Sequence, residues 1–248
     1  MDSDNIQKGK SARLLKGSVG KTLVSLAIPM GLGLAAIFLF NIVDTFYVGQ
    51  LGAKPLAAMG FTFPVTYIVM SVAMGFSVGA SSTISRAIGE GQQDKVRRLT
   101  TDVVVLSVLI VTLFAMIGLT SLRRIFTLMG ADAETLELIS DYMIPWFLGV
   151  GLLGIPIVSN GAIRATGDTK SPAIIMAIAG LVNIVLDPFL IFGIGPFPRL
   201  ELRGAALASV ISWSLTFAAT IWILGKRERM IGLPFFAAKQ SLESWRQI

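Results

Sequence analysis

Hydrophobic residues follow one another along this chain in six long runs, and the charged residues gather between the runs. Residues 55–85, 103–122, 142–163 and 204–225 carry no charge, 171–198 carry only Asp187, and 22–43 are uncharged up to Asp44. A helix of about 20 apolar residues spans the hydrocarbon core of a bilayer. Inside that core every backbone polar group needs a partner within the chain, so the spans should be helices.

The pattern therefore predicts an all-α, polytopic membrane protein with six transmembrane helices. Their predicted bounds are 22–49, 55–85, 101–122, 138–163, 170–193 and 203–225. The polar segment 89–98 is interpreted as an amphipathic connector, and 131–140 as the first turns of the fourth helix. The predicted parts of the chain are a basic cytoplasmic tail (1–21), a six-helix transmembrane lobe (22–228) and a cytoplasmic interfacial linker (229–248).

Composition narrows the classes of function. The chain is 54% hydrophobic and 15% charged, whereas a soluble domain carries about 25% charged residues. It has no Cys, which excludes disulfides and thiolate metal sites, and no His, the commonest general base and metal ligand. The net charge of +6 is interpreted as basic loops that face anionic lipid, so we predict membrane lipid and no nucleic acid as a partner.

The distribution of Lys and Arg predicts the orientation. Most of the 21 basic residues fall on the side that holds the N-terminal tail, the second and fourth loops and the C-terminal segment. The positive-inside rule places that side in the cytoplasm, so both termini are predicted to be cytoplasmic in the cell membrane. Arg123 and Arg124 are the exceptions. The run after Lys21 is too long for a signal peptide, so we expect the first helix to remain as an anchor.

A few polar residues lie at membrane depth. Asp44 shares a helix face with Asn41, and Asp187 shares one with Asn183, because three and four residues separate the partners. An Asp near the centre of a span costs about 2.5–3.5 kcal/mol, so such a residue usually faces a cavity or a partner. Each Asp alone also fits an interfacial helix end. Together the four offer hard oxygen ligands for H⁺ or Na⁺, which these residues do not distinguish.

Three further features are candidates for a pocket and its movements. Pro29 lies within the first helix and should bend it, although a static kink fits equally well. Tyr142, Trp146 and Asn160 on the fourth helix are candidate cavity-lining residues. Tyr142 also fits an aromatic residue of the membrane interface.

Three segments together resemble a known family. Residues 42–52 read IVDTFYVGQLG, residues 160–172 read NGAIRATGDTKSP, and residues 183–193 read NIVLDPFLIFG. In this order and at these spacings they resemble the multidrug and toxic compound extrusion (MATE) family of secondary antiporters, over essentially the whole chain. Acids on both the first and the fifth helix are more similar to the family's DNA-damage-inducible bacterial and archaeal subgroup.

The resemblance implies specific roles. Family members have twelve helices in two six-helix lobes and exchange organic compounds, often cationic, for H⁺ or Na⁺, with no other cofactor. The coupling cation would bind at Asp44, Asn183, Asp187 and Asn160, with Na⁺ an alternative to H⁺ at the first three. The substrate pocket and its gating would involve Asn41, Tyr142, Trp146 and Pro29. On the sixth helix Ser209 and Ser212 are the candidate polar contributors.

This chain resembles the N-terminal lobe alone. Residues 244–248 (SWRQI) resemble the approach to a seventh helix. We expect the chain to be a fragment of the whole transporter, or else a lobe that pairs with a second copy. Its expected partners are a second six-helix lobe, small organic substrates and membrane lipid.

Other functions fit less well. A lipid-linked precursor flippase would line its cavity with cationic side chains, but no Lys or Arg lies in the interior of a predicted span. An intramembrane aspartyl protease would need a motif that residues 165–168 (ATGD) match only in part and in a loop, so an enzyme is not predicted. A half-protein that acts only through a partner chain stays open.

Overall fold

The computed structural model describes residues 18–230, and six long α-helices make up most of this part of the chain. In chain order they are α1 (Val19–Gln50), α2 (Ala53–Gly89), α3 (Gln93–Leu128), α4 (Ala133–Ala165), α5 (Lys170–Phe192) and α6 (Glu201–Trp222). A π-helical turn, Ile223–Arg227, follows α6. The predicted tail 1–21 and linker 229–248 lie mostly outside the described residues.

The six-span fold predicted from the sequence is confirmed. Each of the six helices is long and apolar enough to cross a membrane. Short connections join them, so successive helices run in opposite directions. We call the side that carries the start of α1, the connections 90–92 and 166–169 and the π-helical turn the N-terminal face. The opposite face carries the connections 51–52, 129–132 and 193–200.

The boundaries of the third helix differ from the prediction. The segment 89–98 is not a connector, because only residues 90–92 separate α2 from α3. The polar residues that follow form the first turns of α3, where Asp94 suits a helix N-terminus. The prediction for the fourth helix is confirmed: α4 begins at Ala133, and Asp132 Oδ1 accepts a hydrogen bond of 2.8 Å from Thr135 N.

Helix α4 is the centre of the bundle, because its glycines let three neighbouring helices approach closely. It packs against α2, α3 and α6, and most of its apolar stretch is buried. A Cβ on these glycines would lie 2.3 Å from Val210 Cγ2 of α6 (Gly149), 2.5 Å from Val111 Cγ2 of α3 (Gly154) and 2.2 Å from Ser77 O of α2 (Gly161). Small residues at helix crossings are typical of packing in membranes, where close van der Waals contact drives association.

Helix α1 has the opposite character. Only 6% of its apolar stretch is buried, and its main neighbour is α5. Its exposed side chains are large and apolar, among them Phe38, Ile42 and Phe46. In water such a surface would be unfavourable, but in a bilayer it faces lipid or another membrane helix. The fold therefore leaves α1 at the edge of the bundle, attached through α5.

Ion pairs tie the helix ends together at both faces. On the opposite face, Lys54 of α2 pairs with Glu134 of α4, and Arg203 of α6 pairs with Asp141 of α4 at 2.7 Å. On the N-terminal face, Arg227 of the π-helical turn pairs with Asp168 of the α4–α5 connection. These contacts link the charged ends of neighbouring helices at the two faces of the bundle.

Candidate functional site

Two carboxylates are buried between α1 and α5. Asp44 is 2% exposed and Asp187 is fully buried, and the two interact electrostatically across the contact of the two helices. Within residues 18–230, the Oδ1 atom of each has no hydrogen-bond partner. A buried polar atom without a partner is energetically costly, so these two oxygens mark a place where a bound proton or cation would be stabilised.

An amide and a hydroxyl support one of the carboxylates. With the Asn183 amide oriented by its hydrogen-bond network, Nδ2 donates to Asp187 Oδ2 at 3.1 Å and Oδ1 accepts from Ser209 Oγ at 3.2 Å. Asn183 and Asp187 lie four residues apart on α5 and thus face the same way. Helix α6 therefore contributes Ser209 to this group of side chains. Of the two candidates from the sequence, Ser209 and Ser212, it is Ser209 that contacts Asn183.

Of the two predicted aromatic residues, Tyr142 lies near the carboxylates, whereas the described contacts of Trp146 are with other aromatic rings. Tyr142 on α4 is buried within electrostatic range of both Asp44 and Asp187. One turn further along α4, Trp146 stacks edge-to-face on Trp213 of α6, with ring centroids 5.9 Å apart. Aromatic pairs of this geometry are stabilising, so this pair strengthens the packing of α4 against α6.

Asn160 lies elsewhere in the bundle. It is fully buried near the N-terminal face, and its Oδ1 is 3.5 Å from Thr220 Oγ1 of α6. Since Tyr142 and Asn160 are 18 residues apart on α4, about 27 Å of helix separates them. Asn160 Nδ2 has no hydrogen-bond partner in the described part of the chain. The structure therefore does not group Asn160 with the Asp44–Asp187 pair.

The two remaining candidates belong to α1 itself. Asn41 is half-buried, and its Nδ2 donates to Ile37 O of the preceding turn at 2.8 Å. Its amide is therefore already bound to its own helix. Pro29 is half-buried and lies 15 residues before Asp44, about 22 Å along α1. Neither residue has a described contact with the carboxylate pair.

The sequence left the α6 contribution open, although a signal was present. Ser209, Ser212, Thr216 and Thr220 recur at intervals of three and four residues, which places them on one face of a helix. All four are buried. Recognising that this polar face meets Asn183 and Asn160 required the packing of α6 against α5 and α4.

The chemistry of the site is that of oxygen donors at membrane depth. Carboxylate, amide and hydroxyl oxygens bind protons and small hard cations well. Among residues 18–230, no group of three or more His, Cys, Asp and Glu side chains has a geometry that fits a metal ion. A six-helix bundle with an apolar exterior and two buried carboxylates inside is the architecture of a multi-pass membrane protein.

Comparison with known proteins places the chain in a family. The MatE family model matches residues 29–189, so the chain belongs to the MatE family, whose members are transporters. A FAD transporter from Shewanella oneidensis is 38% identical over 235 residues, 95% of this chain and 52% of that protein. The probable multidrug resistance protein NorM from Thermotoga maritima is 32% identical over 213 residues, 85% of this chain and 45% of that protein.

A solved structure agrees with the fold. The crystal structure of a MATE protein in the bent conformation superposes with a TM-score of 0.84 at 30% identity, covering 93% of this chain and 52% of that one. The resemblance found in the three sequence segments is thereby confirmed. The chain spans about half the length of the curated relatives it matches, and it corresponds to the N-terminal lobe.

Proposed function

We propose that this lobe is one half of a secondary antiporter that exports small organic compounds and takes up H⁺ or Na⁺ in exchange. The observation that carries the proposal is the pair of buried carboxylates, Asp44 on α1 and Asp187 on α5, each with an oxygen that has no partner among the described residues. A proton or a cation at these oxygens would remove the cost of burying them bare. The transport activities named for the relatives support the same class of function.

Coupling follows from electrostatics in this proposal. Two ionised carboxylates in a low-dielectric interior repel each other, so the empty site favours uptake of a positive charge. Asn183 holds Oδ2 of Asp187 and leaves Oδ1 for the incoming cation. Ser209 in turn fixes the Asn183 amide. A substrate that competes for the same interior would then be displaced when the coupling cation binds, which produces exchange.

The other predicted residues receive roles in the pocket and its gating. We assign Tyr142, which lies near the carboxylate pair, and Trp146, one turn further along α4, to the wall of the pocket. Asn41 lies one turn from Asp44 on α1. Because α1 is the least buried helix, its movement breaks fewer contacts than movement of α4 would. Pro29 removes one backbone hydrogen bond from α1, so we assign the bend of that helix to it.

The whole transporter requires a second lobe. Alternating access needs a cleft whose two walls move relative to each other, and this lobe supplies one wall. The half-length match to the relatives supports a second six-helix lobe as the partner. A second copy of this chain is the alternative, and the exposed apolar surface of α1 is compatible with either.

The substrate class has two candidates. The relative named as a multidrug resistance protein points to drugs as substrates. Among such compounds, organic cations are complementary to a site with two carboxylates. The FAD transporter of Shewanella oneidensis favours a flavin dinucleotide, which is anionic. A dinucleotide would need cationic contacts, and the interior of this lobe offers acids and amides around Asp44 and Asp187. We therefore propose organic cations as the substrates handled by this lobe.

The location and orientation follow from the distribution of charge. The basic residues concentrate on the N-terminal face, so we place that face in the cytoplasm and both termini with it. The membrane is the cell membrane. The parts of the chain are then the cytoplasmic tail 1–21, the transmembrane lobe 22–228 and the cytoplasmic linker 229–248.

Proton release tests the site directly. The purified chain in detergent, weakly buffered, should release protons when ethidium or Na⁺ is added, because either displaces a proton from the carboxylate pair. Asp44→Asn and Asp187→Asn should each abolish the release, because each removes one of the two carboxylates. FAD, added in the same way, should release no protons if the substrates are organic cations, and proton release by FAD would favour the dinucleotide.

The control uses an acid outside the site. Asp141, paired with Arg203 on the opposite face, is exposed, and Asp141→Asn should leave the release unchanged. Each variant must elute as a monodisperse species, which shows that it is folded. If the folded chain, also when fused to the second lobe of a relative, releases no protons with any of the ligands, the proposed site is wrong.

A further inference from the structure

A stripe of buried hydroxyl groups runs along one face of α6. Its members share burial of at least 94% and a spacing of three or four residues, which keeps them on one side of the helix. They are Ser209, Ser212, Thr216 and Thr220. From the first to the last the stripe covers about 16 Å along the helix axis, half the thickness of a hydrocarbon core.

The stripe connects two parts of the bundle that are far apart. At one end, Ser209 is hydrogen-bonded to Asn183, which holds Asp187. At the other end, Thr220 Oγ1 lies 3.5 Å from Asn160 Oδ1 on α4. It therefore leads from the carboxylate pair towards the N-terminal face, and both of its ends meet an amide side chain.

A polar atom without a partner lies next to the far end. Asn160 Nδ2 is fully buried and has no hydrogen-bond partner in the described part of the chain. Buried polar groups are rarely left in this state, and ordered water commonly satisfies them where the surroundings are polar. Asn160 and Thr220 supply two polar partners, the minimum that a buried water needs.

Apolar side chains close the stripe beyond Thr220. Ile223 and Leu224 of the π-helical turn are buried together with Ile163 of α4. Hydrophobic constrictions of this kind block water without any covalent or ionic barrier. A π-helical turn is an unusual element that often marks a functional position, and here it begins one turn after Thr220.

We propose that the α6 hydroxyl stripe holds a file of water that carries protons between the Asp44–Asp187 pair and Asn160–Thr220, where the apolar side chains of the π-helical turn form its gate. This rests on the proposed function, because the carboxylate pair is the end of the path. Each hydroxyl or water accepts one proton from one side and releases one to the other, so no other reactant is needed.

A purely structural role would also explain the buried hydroxyls, and the experiment must distinguish that role from a path of water. Ser212 Oγ donates to Ala208 O at 2.9 Å, and Thr216 Oγ1 donates to Ser212 O at 3.2 Å. Such bonds to the preceding turn satisfy the donors of Ser and Thr in membrane helices. They leave the oxygen lone pairs available to accept hydrogen bonds from water, however. If the role of the stripe is only structural, water is absent from all four positions.

Silver ions provide a probe small enough for a narrow path of water. The chain has no Cys, so Ser212→Cys, Thr216→Cys and Thr220→Cys each introduce a single thiol. Ag⁺ reacts with the thiolate, which forms only where water is present. The matched control is Ser214→Cys, because Ser214 lies on the same helix, half-buried and off the stripe, with its Oγ donating to Val210 O. Mass spectrometry of the chain in lipid nanodiscs follows the reaction.

The stripe thiols should react at least about tenfold faster than the control thiol, as a hydrated thiol ionises more readily than one in an apolar setting. Their rates should fall from position 212 to position 220 if the gate is closed. Equal rates at positions 214, 216 and 220 would overturn the proposal.

A second measurement tests the path independently of the Cys variants, in case these perturb the fold. Thr220→Val keeps the shape of the side chain and removes the hydroxyl, and it should slow proton release on ethidium addition several-fold without reducing the total released. Thr220→Ser should restore the rate. An unchanged rate in Thr220→Val would also overturn the path, whereas loss of the total released would point to failure at the carboxylate site.

Discussion

Ser209 on α6 lies 3.2 Å from Asn183 on α5, with a buried hydroxyl facing a buried amide between the two helices. This contact orients the amide, and the amide in turn donates to Asp187 at 3.1 Å. The hydroxyl thus acts on the carboxylate through Asn183. It is the link by which α6, which packs closely against α5, reaches the candidate ion site.

Removing that hydroxyl should weaken the site without destroying it. A net hydrogen-bond contribution of about 1 kcal/mol predicts that Ser209→Ala reduces the affinity for the displacing cation about fivefold. The measurement is the concentration of Na⁺ or ethidium that gives half-maximal proton release. Ser214→Ala removes a hydroxyl from the same helix away from Asn183 and should leave that concentration unchanged. Equal shifts in both variants would contradict the role assigned to Ser209.

The sequence predicts how deep each polar residue lies in the membrane better than it predicts which residues surround it. Asp44 and Asp187 could be placed within spans because charge is so rare there, and both are buried as expected. The family resemblance groups Asn160 with them, but its position near the end of the predicted fourth span already places it at the other face, where it lies next to Thr220. Hydropathy reports how far along a helix a residue lies. Which helices face one another depends on side-chain packing, which hydropathy does not encode.

The start of α3 shows a second limit. The polar character of 89–98, which contains Lys95, Arg97 and Arg98, predicts an amphipathic connector. The helix nevertheless begins at Gln93. Long basic side chains reach the interface while their backbone stays helical, and Arg97 Nε donates to Arg229 O at 3.0 Å. Hydropathy marks the membrane-embedded part of a helix and underestimates its full length.

Close packing of α4 against α2 should be sensitive to a single methyl group. In Gly161→Ala the new Cβ would lie 2.2 Å from the backbone oxygen of Ser77, so the helices must separate. Overpacking of this kind costs about 1–3 kcal/mol, which should lower the Tm of the purified chain by several degrees. Gly75→Ala is the matched control on α2, because nothing lies within 4 Å of its added Cβ. A Tm for Gly161→Ala that equals that of the control would show that the two helices are not packed this closely.

The orientation in the membrane can be tested with single thiols in this Cys-free chain. Lys54→Cys lies on the opposite face, and Glu90→Cys lies in the α2–α3 connection on the N-terminal face; both positions are exposed. An impermeant maleimide added to intact cells should label the thiol at position 54 and not that at position 90, because the N-terminal face is basic. The reverse pattern would invert the assigned topology.

The pairing of Asp168 with Arg227 should give stability that depends on pH. Burial by itself would raise the pKa of Asp168, but hydrogen bonds from Ser171 and the nearby Arg227 outweigh it and hold the pKa below its ordinary value of 3.8. Because the folded pKa is lowered, the contribution is fully present above pH 3.8 and is lost as the pH falls through the folded pKa. The pair fixes the π-helical turn to the α4–α5 connection.

Asp168→Asn should therefore lower the stability by about 1–2 kcal/mol at neutral pH, as expected for the loss of charge-assisted hydrogen bonds. The difference in Tm between wild type and variant should shrink as the pH falls below 4, because the wild-type carboxylate is then protonated as well. Asp141→Asn breaks a pair between exposed side chains and should change the Tm little at any pH, since exposed ion pairs contribute little. A difference for Asp168→Asn that persists undiminished in acid would mean that Asp168 contributes through packing and not through its charge.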